Sequence, residues 1–225
     1  MRSLHSWLAP RRYAVLLASL LLVVVGYPFF SETSYGPALL RAFWLVLVAA
    51  SIFSAGRSAG RLRAALVLGV LAIVPRLVDP LLAGQWPFAA DALGAVLLCF
   101  VSWVVLRDVL SHDRVTSETV NGALCVYLLA GLVFAQVYTV LAWSDPGSFR
   151  LPESASAGFA LQEALTYFSL VTQTTLGYGD IVPTSPAARS LAIGQAVFGQ
   201  LYLAVLIARL VALEIAHRGE PPAAD

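Results

Sequence analysis

The chain has 225 residues, of which 59% are hydrophobic and 12% charged, and its mean hydropathy is +0.81. Water-soluble domains carry about a quarter charged residues, so this composition excludes an ordinary soluble domain and points to a membrane protein. The formal net charge of +1 leaves no basic surface for nucleic acid.

A helix needs about 20 apolar residues to cross the hydrocarbon core. In chain order, six segments are expected to do so: 13–30, 37–54, 62–82, 88–106, 120–143 and 186–213. The first follows Arg2, Arg11 and Arg12, as a signal peptide would. Its apolar stretch is long, however, and no small-x-small cleavage site follows, so it reads as a retained span. The second is short and carries Arg41 near one end, where a long side chain can snorkel to the headgroups. In the third, Arg76 and Asp79 stand three residues apart and read as an interfacial pair. The fourth contains no arginine before Arg107. A voltage sensor carries about 3–4 gating charges per subunit, so steep voltage gating is not expected. Cys99 and Cys125 lie within apolar runs and read as buried, inert thiols.

All fourteen basic residues are arginines, which suggests a GC-rich bacterial source. With six spans and the N-terminus inside, ten of the fourteen are cytoplasmic, and Arg41, Arg76, Arg150 and Arg189 are outside. That distribution satisfies the positive-inside rule. It places both termini in the cytoplasm of a multi-pass protein of the cell membrane, the bacterial inner membrane. It also places the connection 144–185 outside.

That connection is too long for a turn. A polar loop, SDPGSFRLPESASAG, is followed by FALQEALTYFSLVTQT (159–174), helix-like but too short to cross. TLGYGD then breaks the helix, and IVPTSP leads into the last span. Such re-entrant backbone is tolerated at membrane depth only when buried in protein or lining a water-filled path.

An ion on such a path must exchange its water for other oxygens, because a bare buried charge costs on the order of tens of kcal/mol. Backbone carbonyls aimed at one axis can supply them without adding net charge. Gly177 and Gly179 permit the dihedrals this requires. The Thr175 hydroxyl adds an oxygen at the inner end, and the C-terminal end of the short helix favours a cation there. One loop supplies a quarter of a coordination shell, and the chain holds no second copy. Four chains, a homotetramer, are therefore expected around the path.

TTLGYGD resembles the TVGYG filter of the potassium-channel family. Thr175, Leu176, Gly177, Tyr178 and Gly179 match it one for one, with Leu in place of Val. The similarity covers 120–213; outside it, the chain is similar to bacterial six-span channels in general. The resemblance implies that Thr175, Leu176, Gly177 and Tyr178 bind K+, the permeant ion. It implies that Leu176 points away from the ion path. It also implies that Asp180 hydrogen-bonds behind the filter to Tyr167, with Thr174 a further support. Val171 stands where some relatives carry a bracing Glu, so inactivation behaviour does not carry over. Gly199 falls at the position of an inner-helix hinge, although close helix packing explains a glycine there equally well. Gln200, Leu203, Ile207 and Val211 recur at helical spacing and are expected to line a cavity below the filter. Gln195 reads as an interhelical hydrogen bond.

Two other functions fit parts of the same pattern. One is a weakly selective cation channel, because a poorly braced filter admits other ions. The other comes from Gly177–Asp180, which also resembles the GxGD of intramembrane aspartyl proteases. That chemistry needs a second carboxylate. No Tyr-Asp pair exists in the chain, the 120–143 segment holds no acid, and the Pro-Ala-Leu at 37–39 precedes the motif. An enzyme is not expected.

The expected protein is therefore an all-α integral membrane protein of six transmembrane helices, with a re-entrant pore helix and selectivity filter between the fifth and sixth. Residues 1–115 form a four-helix membrane domain, 116–215 the pore domain and 216–225 a short cytoplasmic tail. The tail has no room for a ligand-binding domain, so ligand gating would need a separate regulatory subunit. Membrane lipids are the other expected partners, and no organic cofactor is expected. His112, Asp113 and Glu118 read as a solvated turn.

Overall fold

A computed structural model describes residues 11–30, 36–55, 59–78, 87–112, 115–155 and 158–218. The helices are α1 (Arg12–Phe30), α2 (Gly36–Ala55), α3 (Ala59–Val78), α4 (Pro87–Leu110), α5 (Ser117–Ser144), α6 (Gly158–Gln173) and α7 (Pro186–Arg218). Between α5 and α6 lie a two-residue strand, β1 (Phe149–Arg150), and a 3-10 turn at Glu153–Ala155. A second short strand, β2 (Val182–Pro183), precedes α7 and pairs antiparallel with β1, Phe149 opposite Pro183 and Arg150 opposite Val182.

Local chemistry sets the helix ends near the site. Thr116 caps α5, its hydroxyl accepting the Thr119 N–H at 3.2 Å. At the other end Asp145 is extended and gives its N–H to the Leu141 carbonyl at 2.8 Å. Pro186 opens α7, where its missing N–H costs nothing. The Ser185 hydroxyl accepts the Ala188 N–H at 3.2 Å there.

The six-span expectation is corrected. Among the described residues three helices are long and apolar enough to cross a membrane: Phe88–Leu110, Ser117–Ser144 and Pro186–Leu213. In α1 and α2 the apolar helices found among the described residues are the shorter Arg12–Gly26 and Trp44–Ser54, against the roughly 20 residues a crossing needs. α3 carries Arg61, Arg63 and Arg76, with Pro75 inside it, so its apolar run is interrupted by charge. Asp79 lies outside the described residues, and with it the Arg76–Asp79 pair. Cys99 is also corrected: both cysteines are free, but Cys99 is exposed on the surface of α4 and only Cys125 is buried.

α5 is the central element, packing against α4, α1 and α6. One core joins Leu16 and Leu20 of α1, Leu47 of α2, Leu97 and Val101 of α4 and Leu129 of α5. A second sits at the opposite end of α5, where Tyr138, Phe149 and Phe168 meet edge to face with ring centroids 5.1–5.5 Å apart. Ile181 and Ala188 complete it. In hydrocarbon such packing rests on close contact and hydrogen bonds, since lipid tails are as apolar as leucine. The second core, with the β1–β2 pairing, fixes both ends of the segment that follows α6.

Candidate functional site

α6 has 16 residues, too short to cross, and was expected at 159–174. Its last turn does not continue, because the chain folds back on it. The Thr175 N–H bonds the Thr172 carbonyl at 3.0 Å. The N–H groups of Leu176 and Gly177 both reach the Val171 carbonyl, at 2.9 and 3.4 Å. In a planar trans peptide the C=O points opposite to the N–H, and no described peptide bond is cis. The carbonyls of Thr175 and Leu176 therefore point away from α6.

The dihedrals extend this pattern. Among the described residues φ is positive at Gly158 and then at every second residue here: Thr175 (58°), Gly177 (58°) and Gly179 (81°). Alternating the hand of successive residues gathers N–H groups on one side and carbonyls on the other. Glycine adopts positive φ freely. Thr175 does so against its β-branched preference, and its hydroxyl accepts a hydrogen bond from Gln200 Nε2 of α7 at 3.2 Å. Thr174 is turned back onto the helix, its hydroxyl donating to the Leu170 carbonyl at 2.8 Å.

Behind the end of α6 is a buried polar network. Gln173, the last residue of α6, and Gln195 of α7 are both fully buried. Gln173 Nε2 donates to the Tyr127 carbonyl at 2.7 Å, and Gln195 Nε2 donates to Gln173 Oε1 at 3.2 Å. Gln195 Nε2 also reaches Ser169 Oγ at 2.7 Å, and the Tyr138 hydroxyl donates to Gln195 Oε1 at 2.7 Å. Ser169 Oγ donates to the Gly131 carbonyl at 2.6 Å. The network thus ties α5, α6 and α7 together. Gly199 lies beside it, packed against the Gln173 carbonyl, where a Cβ would come within 2.2 Å of that oxygen.

At the other end of the segment the Tyr167 phenol faces the Asp180 carboxylate. Tyr167 lies outside the three long spans, and its pKa is raised, first by desolvation and then by the hydrogen bond and negative charge of Asp180. The following residues are held to the loop after α5: Thr184 N–H donates to the Ser148 carbonyl at 2.8 Å, and the Thr184 hydroxyl to the Gly147 carbonyl.

Much of the site is open in the single chain. Tyr178 is 67% exposed and Leu176 55%. On α7, Gln200, Ile207 and Val211 are exposed and Leu203 half-buried. Only 6% of the apolar stretch of α7 is buried, against 50% for α5.

A second cluster joins the opposite ends of α1, α4, α5 and α7. Arg12 Nη2 and the Tyr13 hydroxyl both donate to Asp108 Oδ2, at 2.6 and 2.5 Å, and the Tyr13 N–H donates to Glu118 Oε2 at 3.0 Å. Arg209 Nη2 donates to the Leu110 carbonyl at 2.6 Å, and His112 Nδ1 lies 2.6 Å from the Asp108 carbonyl. Asp113 is outside the described residues. Among those described, no group of three His, Cys, Asp or Glu side chains could hold a metal ion.

Of the residues named from sequence, the structure brings together Tyr167 with Asp180, Thr175 with Gln200, and Val171 with the amides of Leu176 and Gly177. Gly199 lies against α6. Gln173, Ser169, Tyr127 and Tyr138 were not anticipated. A signal for two of them existed: Ser169 and Gln173, four apart, put polar groups on one face of an apolar helix.

Residues 123–214 match the family described as "Ion channel". The chain is 28% identical over 114 residues to the voltage-gated potassium channel Kch of Escherichia coli, covering 51% of this chain and 25% of that protein. It is 36% identical over 88 residues to two pore potassium channel c of rice, covering 39% of this chain and 17% of that one. It is 31% identical over 121 residues to protein LctB of Bacillus caldotenax, covering 53% of this chain and 90% of that protein. The chain therefore spans a quarter or less of the first two relatives' length. The chain belongs to the family of protein LctB, and its residues 123–214 are of the ion-channel family, which is not a family of enzymes, with potassium channels among its relatives. The kinship is to potassium-channel-like proteins, and among the described residues three helices, not six, are long and apolar enough to cross a membrane.

Proposed function

We propose that the chain is a subunit of a homotetrameric channel that passes K+ passively across the cell membrane. The observation that supports this most is the alternation of positive φ at 175, 177 and 179, with the carbonyls of Thr175 and Leu176 turned away from α6. Carbonyls gathered on one side can replace an ion's water. In this reading Thr175, Leu176, Gly177 and Tyr178 supply the oxygens that bind K+, and Gly179 completes the turn. Tyr167, Val171, Thr174 and Asp180 support them, and Gln200, Leu203, Ile207 and Val211 line the path below, beside Gly199.

A fourfold assembly would cover what one chain leaves bare: Tyr178, Leu176 and the exposed ridge Ile193, Val197, Leu201 and Val205 of α7. Residues 116–215 form the conducting unit and 1–115 a membrane unit packed beside it. Arg12 reaches Asp108 near the end of α4, and Arg209 reaches Leu110. The ends of α4 and α7 therefore lie at one end of the molecule, which supports placing both on the cytoplasmic side with the connection 144–185 outside.

The test is flux from liposomes carrying the purified chain, with K+ and Na+ gradients applied separately. K+ flux blocked by barium, with little Na+ flux, is the expected outcome. Equal flux of both ions would leave a channel but overturn its K+ selectivity.

A further inference from the structure

We infer that the buried Gln173–Gln195 amide pair positions the inner end of the 175–179 segment and so sets its discrimination between K+ and Na+. The inference rests on the channel reading above. The observations are independent of it.

Residues 175–179 are exposed in the chain and contribute no hydrogen bond to α7 beyond the one Thr175 accepts from Gln200. Their placement must therefore be transmitted from the two ends. The outer end has Tyr167 and Asp180. Val171, whose carbonyl receives two amides of the segment, has no polar side-chain atom to fix its own position. The inner end follows directly from Gln173, separated from Thr175 by one residue.

Gln173 is held on three sides. Its Nε2 binds the α5 backbone at Tyr127, its Oε1 receives Gln195, and its own carbonyl receives the Tyr127 hydroxyl at 3.3 Å. Gly199 closes the remaining approach to that carbonyl. Gln195 is oriented in turn by Tyr138, which donates to its Oε1, and by Ser169, which accepts from its Nε2. This fixes which end of the Gln195 amide faces Gln173. Neutral amides hold a position without placing a net charge near the ion, whereas a carboxylate there would alter the field along the path. A fully satisfied buried network of this kind specifies one geometry, and a partly satisfied one does not. Discrimination between two ions of equal charge depends on that geometry, so Gln173 and Gln195 are positioning residues for selectivity.

The experiment compares the wild-type chain with Tyr138→Phe, Gln195→Met and the double variant Gln173→Met/Gln195→Met. The ratio of K+ to Na+ response is read as liposome flux and as the rise in thermal midpoint that K+ gives over Na+, which does not require an open pore. Gln195→Met is expected to lower the ratio about ten-fold by leaving Gln173 Oε1 and the Tyr138 hydroxyl unpaired. Tyr138→Phe should lower it several-fold and, lacking only a hydroxyl, decides the matter alone if Gln195→Met does not fold. The double variant also removes the orphaned Gln173 Oε1, which should recover part of the thermal stability but not the ratio. An unchanged ratio in Tyr138→Phe and Gln195→Met overturns the inference, as does a ratio that recovers with stability in the double variant. A wild-type chain with no K+ preference by either readout overturns the selective-channel reading itself, and this inference with it, before any variant is needed.

Discussion

Gly199 of α7 sits against the carbonyl of Gln173 so closely that a Cβ built on it would lie 2.2 Å from the oxygen and 3.1 Å from the carbonyl carbon. The obstacle is backbone at the end of α6, which cannot swing aside as a side-chain tip would. Gly199→Ala must therefore push α7 from α6, and overpacking of this kind costs about 1–3 kcal/mol. Gly60→Ala, where nothing lies within 4 Å, should stay within about 0.5 kcal/mol. Thermal unfolding of the two variants in detergent measures the difference. Equal midpoints would show that the close approach is not maintained in the membrane protein.

Gly177 and Gly179 pose a different problem. A Cβ at either meets nothing within 4 Å in the chain, but φ is +58° and +81°. An L-residue held in that region costs about 1–2 kcal/mol per position, and relief comes from rotating the peptide and its carbonyl. Gly177→Ala is expected to abolish selective flux while the protein still folds. Preserved K+ flux in that variant would remove the functional role assigned to the segment.

Asp180 should control the ionisation of Tyr167. Desolvation comes first among the causes that raise this phenol, and the Asp180 hydrogen bond and charge follow. A tyrosine whose folded pKa is raised contributes stability that is fully present below its unfolded value of about 10 and is lost as pH rises through the folded value. Stability should therefore be insensitive to Tyr167 near neutrality and fall in the alkaline range. Asp180→Asn should shift one phenol's ultraviolet titration to lower pH, and that shift should vanish when Tyr167→Phe is added.

Arg12 and Asp108 form a shielded ion pair at 2.6 Å, with side chains 15% and 6% exposed. Removing one member leaves a buried charge, a loss of about 3–5 kcal/mol in well-buried pairs. Arg12→Met should destabilise by the lower part of that range, because Arg12 retains some contact with water. Replacing both, as Arg12→Met/Asp108→Leu, should recover much of the loss. Thermal midpoints of the single and double variants test this, and additive losses would count against coupling across the pair.

Local features were legible from the residues alone. The short helix was expected at 159–174 and spans Gly158–Gln173, because glycine and threonine end an apolar helical run by their own dihedral preferences. The approach of Tyr167 to Asp180 was anticipated through resemblance, and Gln195 through its polarity in an apolar helix. The number of long crossings was not legible. Counting apolar residues in 62–82 overlooked how arginines and a proline interrupt a run, since Arg61, Arg63, Pro75 and Arg76 all fall in or beside it.

The sequence by itself determined that this is a membrane protein and that Thr175–Asp180 is its exceptional segment, since hydropathy and glycine's dihedral freedom belong to each residue wherever it stands. Only the tertiary structure decided what holds that segment. Gln195 meets Gln173 across 22 residues and Tyr138 across 57, and Arg12 meets Asp108 across 96. Helical periodicity gives the face on which a polar side chain lies, not the partner it finds there. A buried amide's partner is set by which helices pack together and at what height, and those are properties of the assembled fold.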